Sequence, residues 1–140
     1  MSELKLEGSC LCGEVAYSVQ YNISEQTPRF YHCHCKRCRK ASGTGHASLI
    51  IIGHCSLQWL KGEALLSRYK VPEAERFATC FCKKCGSALP RYDEQTGRAV
   101  IPAGSLDHDI DLRPQARIFW DSRTEWSCSD NIPAYAEYPE

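Results

Sequence analysis

Cys82-Lys83-Lys84-Cys85-Gly86 is the stretch whose reading decides the fold. Two thiolates spaced Cys-x-x-Cys converge on one ion, and the glycine lets the backbone turn tightly behind the second cysteine. Lys83 and Lys84 offset part of the thiolate charge. A second half-site stands near the N-terminus, Cys10-Leu11-Cys12-Gly13. In a straight strand Cys10 and Cys12 would point to opposite faces, so both can reach one metal only if the chain turns there. Gly13 is the residue that permits the turn. A lone buried cysteine is an ordinary small hydrophobe. Two paired half-sites, each followed by glycine, form a closed tetrahedral set: Cys10, Cys12, Cys82 and Cys85 as ligands of a structural zinc. A clip across so long a loop is where metal binding should stabilise a chain most.

Working outward, the next cluster is His32-Cys33-His34-Cys35-Lys36-Arg37-Cys38-Arg39-Lys40. Cys33 and Cys35 on a turn, with Cys38 one helical turn later, can face a second ion without help from distant residues. Three protein ligands leave one position open, the pattern of a catalytic zinc. His32 or His34 could close the site as a fourth ligand, although His34, between two ligands, should point away and hydrogen-bond elsewhere. Zn²⁺ on three thiolates carries a net charge of −1. It is therefore a poorer Lewis acid than zinc on three neutral histidines and exchanges more readily with a soft ligand such as a thiolate substrate. Lys36, Arg37, Arg39 and Lys40 could offset the thiolate charge or bind substrate carboxylates. A plain solvated basic face is the competing reading. Cys55, Cys80 and Cys128 have no spacing partners and are expected to be non-ligand thiols, with Cys80 nearest the structural site.

The remaining sequence reads as β structure. Val15, Tyr17 and Val19 alternate with smaller or polar residues, and Ala47 to Ile52 is an apolar run of strand length ended by Gly53. Leu57 to Leu60, Arg76 to Phe81, Arg98 to Ile101 and Ala116 to Trp120 read as further strands. A short helix is expected over Lys36 to Ala41. Residues 129–140 read as an extended tail or edge segment. The expected fold is mainly β, a single small domain over residues 1–140, with several short antiparallel sheets organised around the structural zinc.

Lys+Arg and Asp+Glu each total 17 in a chain of 140 residues, so the formal net charge is zero. Binding nucleic acid through phosphate neutralisation needs a basic excess, which counts against that partner. The first residues alternate charges with leucines and form no signal peptide. The apolar run Leu49-Ile50-Ile51-Ile52 is far too short to span a bilayer. The expected compartment is the cytoplasm, where thiols stay reduced and ten cysteines call for metal rather than disulfides.

In order along the chain, Gly8-Ser9-Cys10-Leu11-Cys12-Gly13, the His32–Lys40 cluster with Ser42-Gly43, and Phe81-Cys82-Lys83-Lys84-Cys85-Gly86-Ser87-Ala88-Leu89 are followed by Ala103-Gly104-Ser105-Leu106-Asp107, Leu112-Arg113-Pro114 and Trp126. This combination resembles the glutathione-dependent formaldehyde-activating enzyme (GFA) family, a group that includes centromere protein V. The resemblance implies a small, mostly β zinc fold with a structural zinc on Cys10, Cys12, Cys82 and Cys85 and a catalytic zinc on Cys33, Cys35 and Cys38. It also implies carbon–sulfur lyase chemistry on a thiol–aldehyde adduct, with glutathione and formaldehyde as the named pair. Arg117 stands where many relatives have histidine, a departure that bears on substrate identity rather than on fold. The competing function is a non-catalytic zinc module for protein or nucleic-acid contact through the basic 36–40 stretch.

The ligand sets leave three cysteines over. Replacing Cys55, Cys80 and Cys128 together by serine should leave the zinc content per chain unchanged. A proportional fall in metal analysis would make one of them a ligand.

Overall fold

Period-2 burial organises the first sheet in the computed structural model, which describes residues 3–128 and 131–139, with nothing described of the Cys128 side chain. β1 (Glu3–Ser9) and β2 (Ala16–Asn22) form an antiparallel hairpin, and β2 pairs on its other side with β5 (Ser56–Lys61). Val15, Tyr17, Val19 and Tyr21 are all buried on one face. The Tyr17 ring meets Trp59 edge-on at 5.9 Å. Ser105 donates its hydroxyl proton to the Pro102 carbonyl at 2.7 Å, so the Tyr17 hydroxyl is the donor in its 2.6 Å bond to Ser105 Oγ. A buried tyrosine is thereby satisfied at its polar end.

The second sheet has five strands in the order β11 (Ala116–Ile118), β3 (Arg29–Cys33), β4 (Ala47–Ile52), β10 (Arg98–Pro102) and β9 (Arg91–Asp93). β4 is central, and its apolar run Leu49–Ile52 buries Ile50 and Ile52 fully on one face and leaves Leu49 and Ile51 half-buried on the other. All pairings are antiparallel except β11 with β3, which is parallel. A parallel neighbour requires a long return path, and here the chain runs from β3 round to residue 116 before it pairs. β11 is shorter than the sequence suggests. It ends at Ile118 because Phe119 adopts a left-handed conformation (φ 54°) and opens a 3₁₀ turn over Trp120–Ser122.

The third sheet joins β6 (Leu66–Lys70), β7 (Ala78–Cys82) and β8 (Ala88–Leu89). Along β7, Ala78, Cys80 and Cys82 point inward. Residues from all three sheets share one hydrophobic cluster, including Val19, Ile50, Cys80 and Leu89. The strands at Arg29–Cys33, Leu66–Lys70, Ala88–Leu89 and Arg91–Asp93 have no clean alternation in sequence and were not expected, and neither was Glu3–Ser9, although its charges alternate with Leu4 and Leu6. Among the described residues the single α-helix is α1 (Lys36–Ser42), within a residue of expectation. Among the described residues no helix is long and apolar enough to cross a membrane. Residues 131–139 are exposed and form no strand, while 129, 130 and 140 lie outside the described residues.

Candidate metal centres

Both half-sites of the first cluster are closed by a glycine, in a four-residue turn at Cys10–Gly13 and a five-residue turn at Cys82–Gly86. Cys10 ends the approach from β1, and the Gly13 N–H donates to the Cys10 carbonyl at 3.0 Å with Gly13 at φ 80°. At the other half-site the Gly86 N–H donates to the Cys82 carbonyl at 2.7 Å with Gly86 at φ 78°. Left-handed backbone closes each turn behind its second cysteine, the conformation glycine adopts without strain. The four sulfurs of Cys10, Cys12, Cys82 and Cys85 lie within 4.8 Å of one another. Cys10 and Cys12 are 3.5 Å apart, and Cys12 and Cys82 3.9 Å. A tetrahedral ion with metal–sulfur bonds of about 2.3 Å sets sulfur–sulfur edges of about 3.8 Å, so the spacing fits one ion.

The electrostatics of the group point the same way. The Ser87 hydroxyl, followed by backbone N–H groups including that of Cys12, pushes the Cys85 thiol down to about 5. At Cys12 the Glu14 N–H lowers the thiol, but desolvation and the three neighbouring cysteines outweigh it and push it up to about 11. Four thiolates this close cannot all ionise without a cation to neutralise them. Ser87 Oγ also accepts the Leu11 N–H at 2.8 Å, tying one half-site to the other. Lys84 pairs with Glu14 across the same gap.

The second cluster is local. Cys33 is the last residue of β3, held between Ala47 of β4 and Ile118 of β11. Cys35 is the N-cap of α1, where its sulfur accepts the Cys38 N–H at 3.2 Å, the role usually filled by serine or aspartate. Burial raises the Cys35 thiol, but that N–H and the neighbouring thiols win and leave it below its ordinary range. Cys38, one turn into the helix, is pushed up by burial and then by Cys33 and Cys35. The three sulfurs lie within 4.8 Å of one another, and no histidine or carboxylate among the described residues joins them. The expected three-cysteine set is therefore brought together, and the variant closed by His32 or His34 is not.

The histidines pack against each other instead. His34 is fully buried, with its ring 5.0 Å from His46 and edge-on to Trp120 at 5.1 Å. His32 lies 4.0 Å from His46 by ring centroids, and its Nδ1 is 3.1 Å from Ser48 Oγ. Burial first, then His46 and Arg117, hold both His32 and His34 below the ordinary histidine range. Arg117 pairs in register with His32, so its charge acts on this histidine group.

Cys38, alone of the three, lines a cleft of about 840 Å³ that also takes in His46, Ser48 and the aromatic side chains of Tyr69, Phe77 and Phe81. That volume lies within the range of small-molecule sites. Of the four basic residues around Cys38, Arg37 and Lys40 line it and Lys36 and Arg39 do not. Arg39 turns its Nε inward, where it has no hydrogen-bond partner, and with Lys40 sits in the last turn of α1, where cations favour the helix dipole. Sequence reasoning left His46 without a role and missed Arg91 and the cleft altogether. Cys55 and Cys80 are buried outside both ligand groups.

The fold and these clusters define a small, mostly β protein able to hold metal ions on cysteine sulfur. Residues 5–122 match the family model of the glutathione-dependent formaldehyde-activating enzymes, and the chain belongs to that family. It is 28% identical over 146 residues to a Halomonas elongata protein whose name, itself provisional, is glutathione-dependent formaldehyde-activating enzyme; the match covers 96% of this chain and 89% of the relative. A crystal structure of a Rhodobacter sphaeroides protein shares the fold, with a TM-score of 0.52 at 20% identity over 80% of this chain and 99% of that one.

The turn geometry is testable at Gly86, where an added Cβ meets nothing within 4 Å but the backbone is left-handed. Gly86→Ala should cost about 1 kcal/mol through backbone strain alone, read as a lower denaturation midpoint. An unchanged midpoint would show that the turn does not need glycine.

Proposed function

We propose that this chain is a zinc-dependent carbon–sulfur lyase-type enzyme that makes or breaks the adduct of a thiol with an aldehyde. Glutathione and formaldehyde are the pair for which its family and its Halomonas elongata relative are named. In this reading Cys10, Cys12, Cys82 and Cys85 hold a structural zinc, and Cys33, Cys35 and Cys38 hold the catalytic one, within one domain working in the reducing cytoplasm. The observation that carries the proposal is the second cluster: three sulfurs, no fourth ligand among the described residues, and one of them opening onto a small-molecule cleft.

Zinc on Cys33, Cys35 and Cys38 would supply a soft Lewis acid that favours the thiolate form of a substrate sulfur. The residues of the chain do the rest. Cys35, capped by the Cys38 N–H, anchors the cluster to the start of α1. Tyr69, Phe77 and Phe81 give the cleft an apolar wall that limits water around the reacting carbon. His46 is the proton-carrying side chain in the cleft beside Cys38. Its Nδ1 is buried without a partner and its ring is held against His32, which leaves Nε2 to work on the substrate. In the forward direction the substrate sulfur attacks the aldehyde carbon, a C–S bond forms, and the carbonyl π pair moves to oxygen. The proton lost from the thiol is returned to that oxygen through His46, giving the hydroxymethyl thioether. In reverse, His46 removes the hydroxyl proton as the C–S bond breaks.

The two clusters should respond differently to metal removal. The three-cysteine site has fewer protein ligands, so a mild chelator should empty it first and leave the fold intact. Cys82→Ser should unfold the chain or sharply lower its melting temperature. Cys35→Ser should leave melting nearly unchanged, because serine is itself a good N-cap. Simultaneous loss of both zincs with unfolding, at every chelator concentration, would favour two structural sites and the binding-module reading.

Turnover is measured as the exchange rate between formaldehyde, glutathione and their adduct, above the rate without protein. Cys35→Ser should abolish the enhancement, and His46→Gln should lower it about a hundredfold or more. Absence of any enhancement by the zinc-loaded wild type, with retention of DNA on a filter at moderate salt, would replace this reading by the binding module.

A further inference from the structure

Every charged residue lining the cleft is a cation. Arg37, Lys40 and Arg91 contribute to it, and no aspartate or glutamate does. Arg37 and Lys40 reach in from the exposed face of a short helix, where long side chains are free to swing into solvent. Arg91 is placed differently. It is the first residue of β9, paired in register with Val100 of β10, and it follows Leu89 and Pro90, both buried. Here the chain steps from the three-stranded sheet to the five-stranded one, and proline fixes φ just before the arginine. The guanidinium lies 5.4 Å from the Phe77 ring centroid, packed against the apolar wall rather than extended into water.

Among the described residues no carboxylate pairs with this half-buried cation. It takes part in neither of the ion pairs found among the described residues, Lys5–Glu7 and Lys84–Glu14. Burial first, then the repulsion of Arg98 and Arg68, holds its guanidinium below the ordinary arginine range. Arg68 sits opposite Cys80 in the β6–β7 register, so a second guanidinium adds to the positive field on that side. A desolvated arginine with a rigid backbone and no carboxylate partner is poised for an anion brought by a ligand, and its planar fork suits a carboxylate in two parallel hydrogen bonds. Cys38 lines the same cleft. A molecule that puts sulfur beside Cys38 and a carboxylate on Arg91 would occupy both.

We infer that Arg91 is the specificity-determining residue of the cleft, binding a carboxylate of the thiol substrate and selecting anionic, carboxylate-bearing thiols over neutral ones. The assignment rests on the reading of the Cys33/Cys35/Cys38 site as the place where a thiol reacts, and it adds the group that recognises the remainder of the molecule. Arg91 does not touch the reacting atoms.

Two measurements on the zinc-loaded full chain separate this inference from the functional reading beneath it. The first is binding of S-methylglutathione, which has the carboxylates but no thiol, followed by calorimetry beside its diethyl ester. Wild type should bind the free acid better than the ester, and Arg91→Gln should weaken the acid roughly ten- to hundredfold and the ester little. Arg91→Lys should recover part of the loss. The second is kinetic: Arg91→Gln should raise KM for glutathione with kcat nearly unchanged, and leave the kinetics with 2-mercaptoethanol as in wild type. Equal affinity of acid and ester for wild type, or equal losses on charged and neutral thiols in Arg91→Gln, would overturn the anchor while leaving the reaction in place. Discrimination between acid and ester that vanishes in Arg91→Gln, in a protein with no turnover, would uphold the anchor and overturn the reaction.

Discussion

Convergence of four sulfurs from two turns far apart in the chain is the constraint on which the other parts depend. Cys12 and Cys82 are separated by 70 positions, yet their sulfurs are 3.9 Å apart. A cross-link across a loop of that length removes about 4 kcal/mol of chain entropy from the unfolded state on the simple entropic account. The benefit is not separable from packing, because Cys10, Cys80 and Cys82 belong to the same hydrophobic cluster as Val19, Ile50 and Leu89. Nor is it separable from charge: without a cation one thiol of the set is held low and another high, so ionising all four requires the metal. With an ion on this cluster, folding, ion binding and loss of thiol protons would be one linked event at this end of the molecule.

The second cluster depends on the first at one remove. Its three sulfurs need only a strand end and the first turn of a helix, all within six residues, so its assembly is local. Its surroundings are not. One side of the cleft comes from α1 and β4 of the five-stranded sheet, and another, with Thr79, Cys80 and Phe81, from β7 of the sheet that carries Cys82. By fixing the Cys82–Cys85 turn against the Cys10–Cys12 turn, the four-cysteine cluster anchors the sheet that supplies this second wall. A chain able to form only the local cluster would have ligands without a cleft.

This difference in range explains what the sequence could reveal. Cysteine spacing is local information, and both cysteine clusters were legible from it together with the glycines that follow Cys12 and Cys85. The strands around Tyr17 and Ile50 were legible because one face, or both, is buried and the residues say so. β1 alternates charges with Leu4 and Leu6 but was not read as a strand, while β6 carries its polar residues outward at a sheet edge and its pattern is diluted. The parallel pairing of β11 with β3 leaves no local trace at all. Arg91 was illegible for the same reason: Leu89-Pro90-Arg91 looks like an ordinary strand exit, and only the meeting of two sheets turns its side chain into the wall of a cleft. The basic residues at 36–40 drew attention by clustering, yet half of them face away from it.

Charge balance shows why an arginine fixed in that wall matters to a three-thiolate site. Zinc on Cys33, Cys35 and Cys38 would carry a net −1, which repels an incoming thiolate that already bears carboxylates. Two unit charges 4 Å apart interact by about 4 kcal/mol at the effective dielectric near a protein surface. That is large enough to disfavour binding unless cations compensate. Arg37 and Lys40 offer charge that solvent screens and side-chain motion blurs. Arg91 offers charge already stripped of part of its water and held against Phe77, so little further desolvation or ordering opposes the ion pair when a carboxylate arrives. A chain with no net charge has in this way gathered a positive patch where a three-thiolate zinc would need to admit an anion.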